Sequence, residues 1–142
     1  MSQVIIWYFA NMHFGSTLDI SFRFRLPPGA DTGANYTILA NCFGLDEMGP
    51  SIYIGVRTGT QKSIVAMLDT TDNVNMQLMS LWFSTEWVDV RFTYDGSKVK
   101  LQVNEVMTEF PRTGQITQRQ PPLVFGIPAM IGDVRLIGDL DN

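Results

Sequence analysis

Hydrophobic and polar residues alternate with a period of two along much of this chain. The clearest run is Thr17–Leu26, in which apolar residues occupy every second position and mostly Asp, Ser and Arg lie between them. This pattern predicts a β-strand with one face against a core and the other face in water. Pro27, Pro28 and Gly29 follow the run and end the strand, because proline has no N–H to donate to a ladder.

Similar segments recur along the rest of the sequence, separated by turn residues. The apolar run Val4–Ala10 is also predicted to be a strand. In Tyr36–Phe43 the alternation places Ile38, Ala40 and Cys42 on one face, whereas Met76–Phe83 is apolar on both faces and predicts a buried strand. The other predicted strands are Ser51–Arg57, Ser63–Leu68, Trp87–Tyr94, Lys98–Asn104, Leu123–Ile127 and Asp133–Ile137. About ten short strands without an amphipathic helix predict an all-β sandwich or barrel.

The composition restricts the class of protein and its partners. The 142 residues are expected to form one domain, residues 1–142, with 45% hydrophobic and only 17% charged residues. A net charge of −4 disfavours nucleic acid, whose phosphates repel an acidic surface. The run Val4–Ala10 is too short to span a bilayer and lacks a basic flank, so neither membrane insertion nor a signal peptide is predicted. A single cysteine excludes an internal disulfide.

The segment Glu86–Asn104 resembles the concanavalin A-like lectin and glucanase superfamily, most closely its laminin G-like and pentraxin-like branch. The shared sequence features are a tryptophan, alternating valines, a Tyr-Asp-Gly turn and a strand that ends in Val-Asn. Two further pieces agree in order and spacing, Leu18–Phe24 and the final pair Leu123–Gly126 and Gly132–Leu136. Glu105 stands where the family has glycine, which leaves the turn after Asn104 open.

The resemblance implies a jelly roll, in which two antiparallel sheets pack as a sandwich. It favours an extracellular, virion or cell-surface location. It also implies that Thr17–Leu26 pairs antiparallel with Asp133–Ile137, an arrangement that would bring Arg23 and Arg25 to face Asp133. Together with the alternation, it predicts a core shared by the two sheets, made of Phe22, Phe24, Val90, Phe92, Val99, Leu101 and Val134.

Catalytic residues are not evident in the sequence, so we expect a protein that is not an enzyme. Glycoside hydrolysis needs paired carboxylates across a cleft, and the enzymes of this superfamily carry them on one strand as Glu-x-Asp-x-x-Glu, a run that this chain lacks. The outward carboxylates Asp19, Asp89 and Asp133 each lie beside an arginine, which keeps a carboxyl ionised. One histidine, His13, and one cysteine offer neither a nucleophile–base pair nor a zinc site.

Calcium is the one cofactor that the sequence leaves open. The candidate oxygen ligands are Asp69, Asp72, Asn73 and Asn75 in one loop, with Asp139, Asp141 and Asn142 as a second set at the C-terminus. Ordinary solvated loop residues are the alternative interpretation of both sets. For a glycan or a protein surface, the candidate ligand-binding residues are Tyr53, Arg57, Trp82 and Trp87. Tyr53 and Trp87 fall opposite the aliphatic register, where a ring can be exposed.

These observations predict a non-enzymatic, lectin-like recognition module that binds a glycan or a protein surface. A structural or assembly protein, such as a capsid or appendage component that forms homo-oligomers, is the alternative from a different class. An unusual glycoside hydrolase is the third hypothesis.

Overall fold

The computed structural model describes residues 4–6, 12–26, 28–29, 33–41, 49–72, 78–126, 133–134 and 139–141. Across these ranges all regular structure is β-strand, and no helix there is long and apolar enough to cross a membrane. The strands are β1 (Val4–Ile6), β2 (Leu18–Arg25), β3 (Asn35–Ala40), β4 (Ile52–Arg57), β5 (Lys62–Leu68), β6 (Met79–Phe83), β7 (Trp87–Tyr94), β8 (Lys98–Val103), β9 (Val106–Pro111), β10 (Leu123–Phe125), β11 (Asp133–Val134) and β12 (Asp139–Asp141).

The strands form two sheets that pack face to face. Sheet A has the order β1-β10-β3-β4-β5-β6, and β11 adds to it by pairing parallel with β3. Sheet B has the order β12-β2-β7-β8-β9. Every other pairing is antiparallel. The predicted all-β, two-sheet antiparallel sandwich is therefore confirmed.

The inner faces of the two sheets share one hydrophobic core. Phe24 of β2 and Phe92 of β7 are fully buried there. The Phe24 ring packs edge-to-face with the Phe83 ring of sheet A, with the ring centroids 5.8 Å apart. Six residues of the predicted core are confirmed, and the side chain of Val134 lies outside the described residues. The six are Phe22, Phe24, Val90, Phe92, Val99 and Leu101.

Two turns order the β7-β8-β9 meander. In the first, the Asp95 carboxylate accepts hydrogen bonds from the Ser97 N–H, the Ser97 hydroxyl and the Lys98 N–H at 2.8–2.9 Å. In the second, Asn104 takes the left-handed conformation, with φ of 54°, a region that favours glycine. Its side chain accepts a hydrogen bond from the Asp89 N–H at 3.0 Å. A turn therefore forms where the sequence left one open, and it leads into β9, a strand that the sequence analysis missed.

The predicted partner of the early strand is wrong. Asp133–Val134 pairs with β3 in sheet A, so it lies in a different sheet from β2. β12, which comes later in the chain, pairs with β2 instead and sets Asp139 opposite Arg25. Long-range packing decides whether β11 or β12 pairs with β2. Side-chain alternation carries no information about that choice.

Two further expectations about sheet A are corrected. The register shifts between Thr37 and Leu39, and this bulge lets both Ile38 and Leu39 enter the shared core. Ala40 therefore leaves the face that the alternation assigned to it and joins a cluster on the other side of the sheet. Cys42 lies outside the described residues. The predicted buried strand Met76–Phe83 is instead the edge strand Met79–Phe83, which is half exposed because β5 is its one neighbour in the described part of the chain.

We expect Phe92→Ala to lower the free energy of unfolding by about 3–5 kcal/mol, because it removes a fully buried ring and leaves a cavity. Urea denaturation measures the change. Leu78→Ala, at a position that is 43% exposed, is the control and is expected to cost less than about 1 kcal/mol. Equal losses in the two variants would contradict the assigned register.

The hydrogen bonds from Ser97 and Lys98 lower the pKa of Asp95 to about 2. The folded state therefore gains stability from the ionised carboxylate above its ordinary pKa of 3.8, and loses it as the pH falls through about 2. Asp95→Asn keeps an oxygen acceptor and removes the charge, so its stability should vary less between pH 4 and pH 2. Carboxyl NMR titration of the native protein checks the premise, and a midpoint near 4 would refute it.

Candidate functional site

One row of side chains crosses the outer face of sheet A, the face turned away from the core. The strand registers set Asn35 opposite Arg57, Arg57 opposite Ser63, and Ser63 opposite Trp82. Arg57 and Trp82 therefore lie on the same face at about 10 Å, one strand apart on either side of Ser63. Two of the four candidate ligand-binding residues are brought together in this way.

A groove of about 460 Å³ opens beside Trp82. Its other walls come from the turn between β4 and β5 and from the end of β6. The lining residues are Gly59, Thr60, Gln61, Lys62, Trp82, Phe83 and Ser84. Trp82 is 67% exposed, the largest exposure among the large hydrophobic residues described. The groove thus combines an open aromatic face with hydroxyl, amide and ammonium groups that can bond a polar ligand.

Tyr53 does not contribute an exposed ring, which corrects the expectation from its register. It points away from the core, as the alternation indicates, but it is only 3% exposed. Its phenol ring lies over Gly55, where a Cβ would meet the Tyr53 hydroxyl and ring carbon. Tyr53 packs there with Ala40, Val65, Met67 and Val124 in a second, smaller apolar cluster.

Trp87 lies on the outer face of the other sheet, so it cannot share a ligand with Trp82. Arg25 stands across the ladder from it and places its guanidinium 4.9 Å from the ring centre. The same guanidinium donates a hydrogen bond to the Glu86 carboxylate at 3.2 Å. A cation already covers one face of this half-exposed ring, which leaves Trp82 as the better stacking surface.

The outer face of sheet B carries paired charges. Arg23 contacts Asp89 at 2.8 Å and Arg91 contacts Asp19 at 2.7 Å, so the predicted arginine neighbours of both carboxylates are confirmed. Hydrogen bonds from these guanidinium groups lower the pKa of Asp19 and of Asp89. Both carboxylates stay ionised near neutral pH, the opposite of what a general acid needs.

The first set of calcium candidates is only partly described. The Asp69 carboxylate accepts a hydrogen bond from Arg119 at 3.0 Å, and Arg119 also donates to the Gly49 carbonyl at 2.9 Å. The Asp72 carboxyl group packs closely against Gly114, because a Cβ added to Gly114 would lie 2.8 Å from the Asp72 carboxyl carbon. Asn73 and Asn75 lie outside the described residues, and within those residues no group of three or more His, Cys, Asp or Glu could hold a metal ion.

The sequence analysis missed the residues that complete the groove, Thr60, Gln61 and Lys62. It predicted the strands Ser51–Arg57 and Ser63–Leu68 but assigned no role to the turn between them. The signal that could have found them is topological, because β6 pairs with β5 and therefore brings Trp82 to the end of the sheet where that turn lies.

Comparisons with known proteins show that the chain is similar to a shell protein in sequence and to a solved laminin structure in shape. The chain is 30% identical over 105 residues to "Uncharacterized shell protein 26" of Lottia gigantea; the match covers 74% of this chain and 58% of that protein's length. The laminin alpha2 chain, in the crystal structure of its LG1-3 region, matches 98% of this chain and 28% of its own length, at 9% identity and a TM-score of 0.47. A likeness at that identity and TM-score assigns the chain to no family. No family model matches the sequence.

Proposed function

We propose that this protein is a non-enzymatic recognition module that binds a glycan in the groove beside Trp82. The observation that carries the proposal is the open indole of Trp82 at a groove whose remaining walls are mostly polar. A pyranose ring has an apolar face that stacks on an indole, and its hydroxyls need donors and acceptors at the rim. Gln61 and Lys62 supply such groups at this groove.

The shape of the groove favours a saccharide chain over a small charged metabolite. It is open to solvent rather than an enclosed cavity, so it can hold one part of a longer ligand. Trp82 gives the groove an apolar surface, which suits a sugar ring. The arginines that could bind a charged metabolite lie on sheet B, where they already bond carboxylates. We take extracellular polysaccharide as the ligand class and an extracellular location as the setting, which the similarity to a shell protein supports.

A structural role is the second candidate function. The similarity to the Lottia gigantea protein favours it, because that relative is named as a shell protein. A component of an extracellular matrix that binds polysaccharide would satisfy both candidates. We also propose calcium as a ligand of the loop that contains Asp69 and Asp72.

Trp82→Ala is expected to weaken glycan binding by roughly thirtyfold, the loss typical of removing a central aromatic contact. A glycan array selects the ligand, and titration calorimetry then measures its affinity. Trp87→Ala is the matched control, since it removes an exposed indole from the opposite side of the sandwich and should leave the affinity unchanged. A glycan that binds both variants equally well would place the site elsewhere.

We expect no hydrolysis of any bound polysaccharide. The carboxylates of Asp19 and Asp89 are paired with arginines that lower the pKa of each, so neither can donate a proton to a leaving group near neutral pH. Reducing-sugar release from a polysaccharide panel tests this, with Asp89→Asn and Glu86→Gln as controls. Turnover that either substitution abolishes would make the protein an enzyme.

A further inference from the structure

The outer edge of β9 combines exposed apolar side chains with backbone groups that no other described strand pairs. β9 ends the strand order of sheet B, with β8 as its one neighbour in the described part of the chain. Val106 is 56% exposed and Met107 is 53% exposed, so two of the most exposed large hydrophobic residues stand side by side on this strand. An exposed edge strand with apolar side chains is a template for pairing with another strand.

The direction of each backbone group on β9 follows from the ladder. The Arg112 N–H donates to the Ser97 carbonyl at 3.0 Å, and hydrogen bonding to a neighbouring strand involves every second residue. Phe110, Thr108 and Val106 therefore bond to β8. Met107 and Glu109 direct their N–H and C=O groups away from the sheet, as does the carbonyl of Pro111. Proline stands where it removes an outward N–H and breaks no bond within the sheet.

We propose that β9 pairs antiparallel with β9 of a second copy, about a twofold axis that passes through Thr108. In this register Met107 exchanges both backbone hydrogen bonds with Glu109 of the second copy. Val106 faces the half-buried Phe110 of the second copy, and Thr108 faces its own equivalent, a favourable cross-strand pair. The two copies of sheet B then form one continuous sheet.

Charge selects this register over its neighbours. An axis through Glu109 would set the two Glu109 carboxylates directly opposite each other, and an axis through Met107 would set Glu105 opposite Glu109. Like charges in opposite positions destabilise a strand pair. With the axis at Thr108, Glu105 faces Pro111 and Glu109 faces Met107. Lys98 and Lys100 of the same copy lie 3.4 and 3.6 Å from the Glu109 carboxylate and neutralise it at the edge.

The occupant is therefore a second copy of this chain, since the segment Val106–Pro111 is complementary to itself. The interaction is isologous and closes at two copies, because each copy uses its single β9 edge. This inference is independent of glycan binding, which concerns Trp82 on the other sheet.

Cysteine cross-linking tests the register. In a Cys42→Ser background, Thr108→Cys sets the two new thiols opposite each other across the twofold axis. This position is a non-hydrogen-bonded pair of the antiparallel ladder, in which the Cα atoms are about 4.5 Å apart, and a disulfide can bridge that distance. We expect a covalent dimer under mild oxidation. Glu109→Cys in the same background is the matched control and should not cross-link. Cross-linking of Glu109→Cys in place of Thr108→Cys would overturn the proposed register.

Sedimentation of the native chain over a range of concentrations tests the association itself. We expect a monomer–dimer equilibrium whose dissociation constant rises about thirtyfold in Met107→Pro, because proline removes one outward N–H from each copy. Circular dichroism verifies that this variant folds. A native chain that stays monomeric, with no cross-link at Thr108→Cys, would overturn the proposal and leave the edge to a strand of another protein.

Discussion

The fold depends on keeping the inner faces of two sheets dry at the same time. The β2–β7 ladder shows how the sequence meets this requirement, since eight consecutive residue pairs put apolar side chains inward and, apart from Trp87, charged or polar ones outward. A shift by one residue would move Phe24 and Phe92 into water and bring arginine and aspartate into the core. The ion pairs on the outer face, Arg23 with Asp89 and Arg91 with Asp19, join the same strands and agree with that register.

The strands that the sequence predicts well are those with one wet and one dry face. β2, β7 and β8 have this property, and their bounds and inward residues follow from alternation alone. β9 was missed because its six residues are all at least partly exposed and end in proline, so they carry no periodic signal. The bulge at Ile38 was missed because two adjacent apolar residues fit either face, and only the pairing with β4 decides between them.

The candidate site was harder to predict than the fold, for a physical reason that Tyr53 and Trp82 illustrate. Alternation tells which face of a sheet a side chain occupies, but exposure depends on what covers that face. Both residues occupy the outer face of sheet A, yet Tyr53 is 3% exposed and Trp82 is 67% exposed. The difference follows their place in the sheet, since Tyr53 lies on an inner strand and Trp82 on the edge strand.

The buried amide of Asn41 has a consequence for the connection that follows it. Its side chain accepts hydrogen bonds from the N–H groups of Ser51 and Ile52 and donates one to the Ser51 hydroxyl at 2.6 Å. These hydrogen bonds hold Asn41 next to Ser51, whatever the number of residues between them. Doubling the length of such a segment costs only about 0.6 kcal/mol in closure entropy. A change in the number of residues between Asn41 and Ser51 should therefore alter the closure entropy of this connection only slightly.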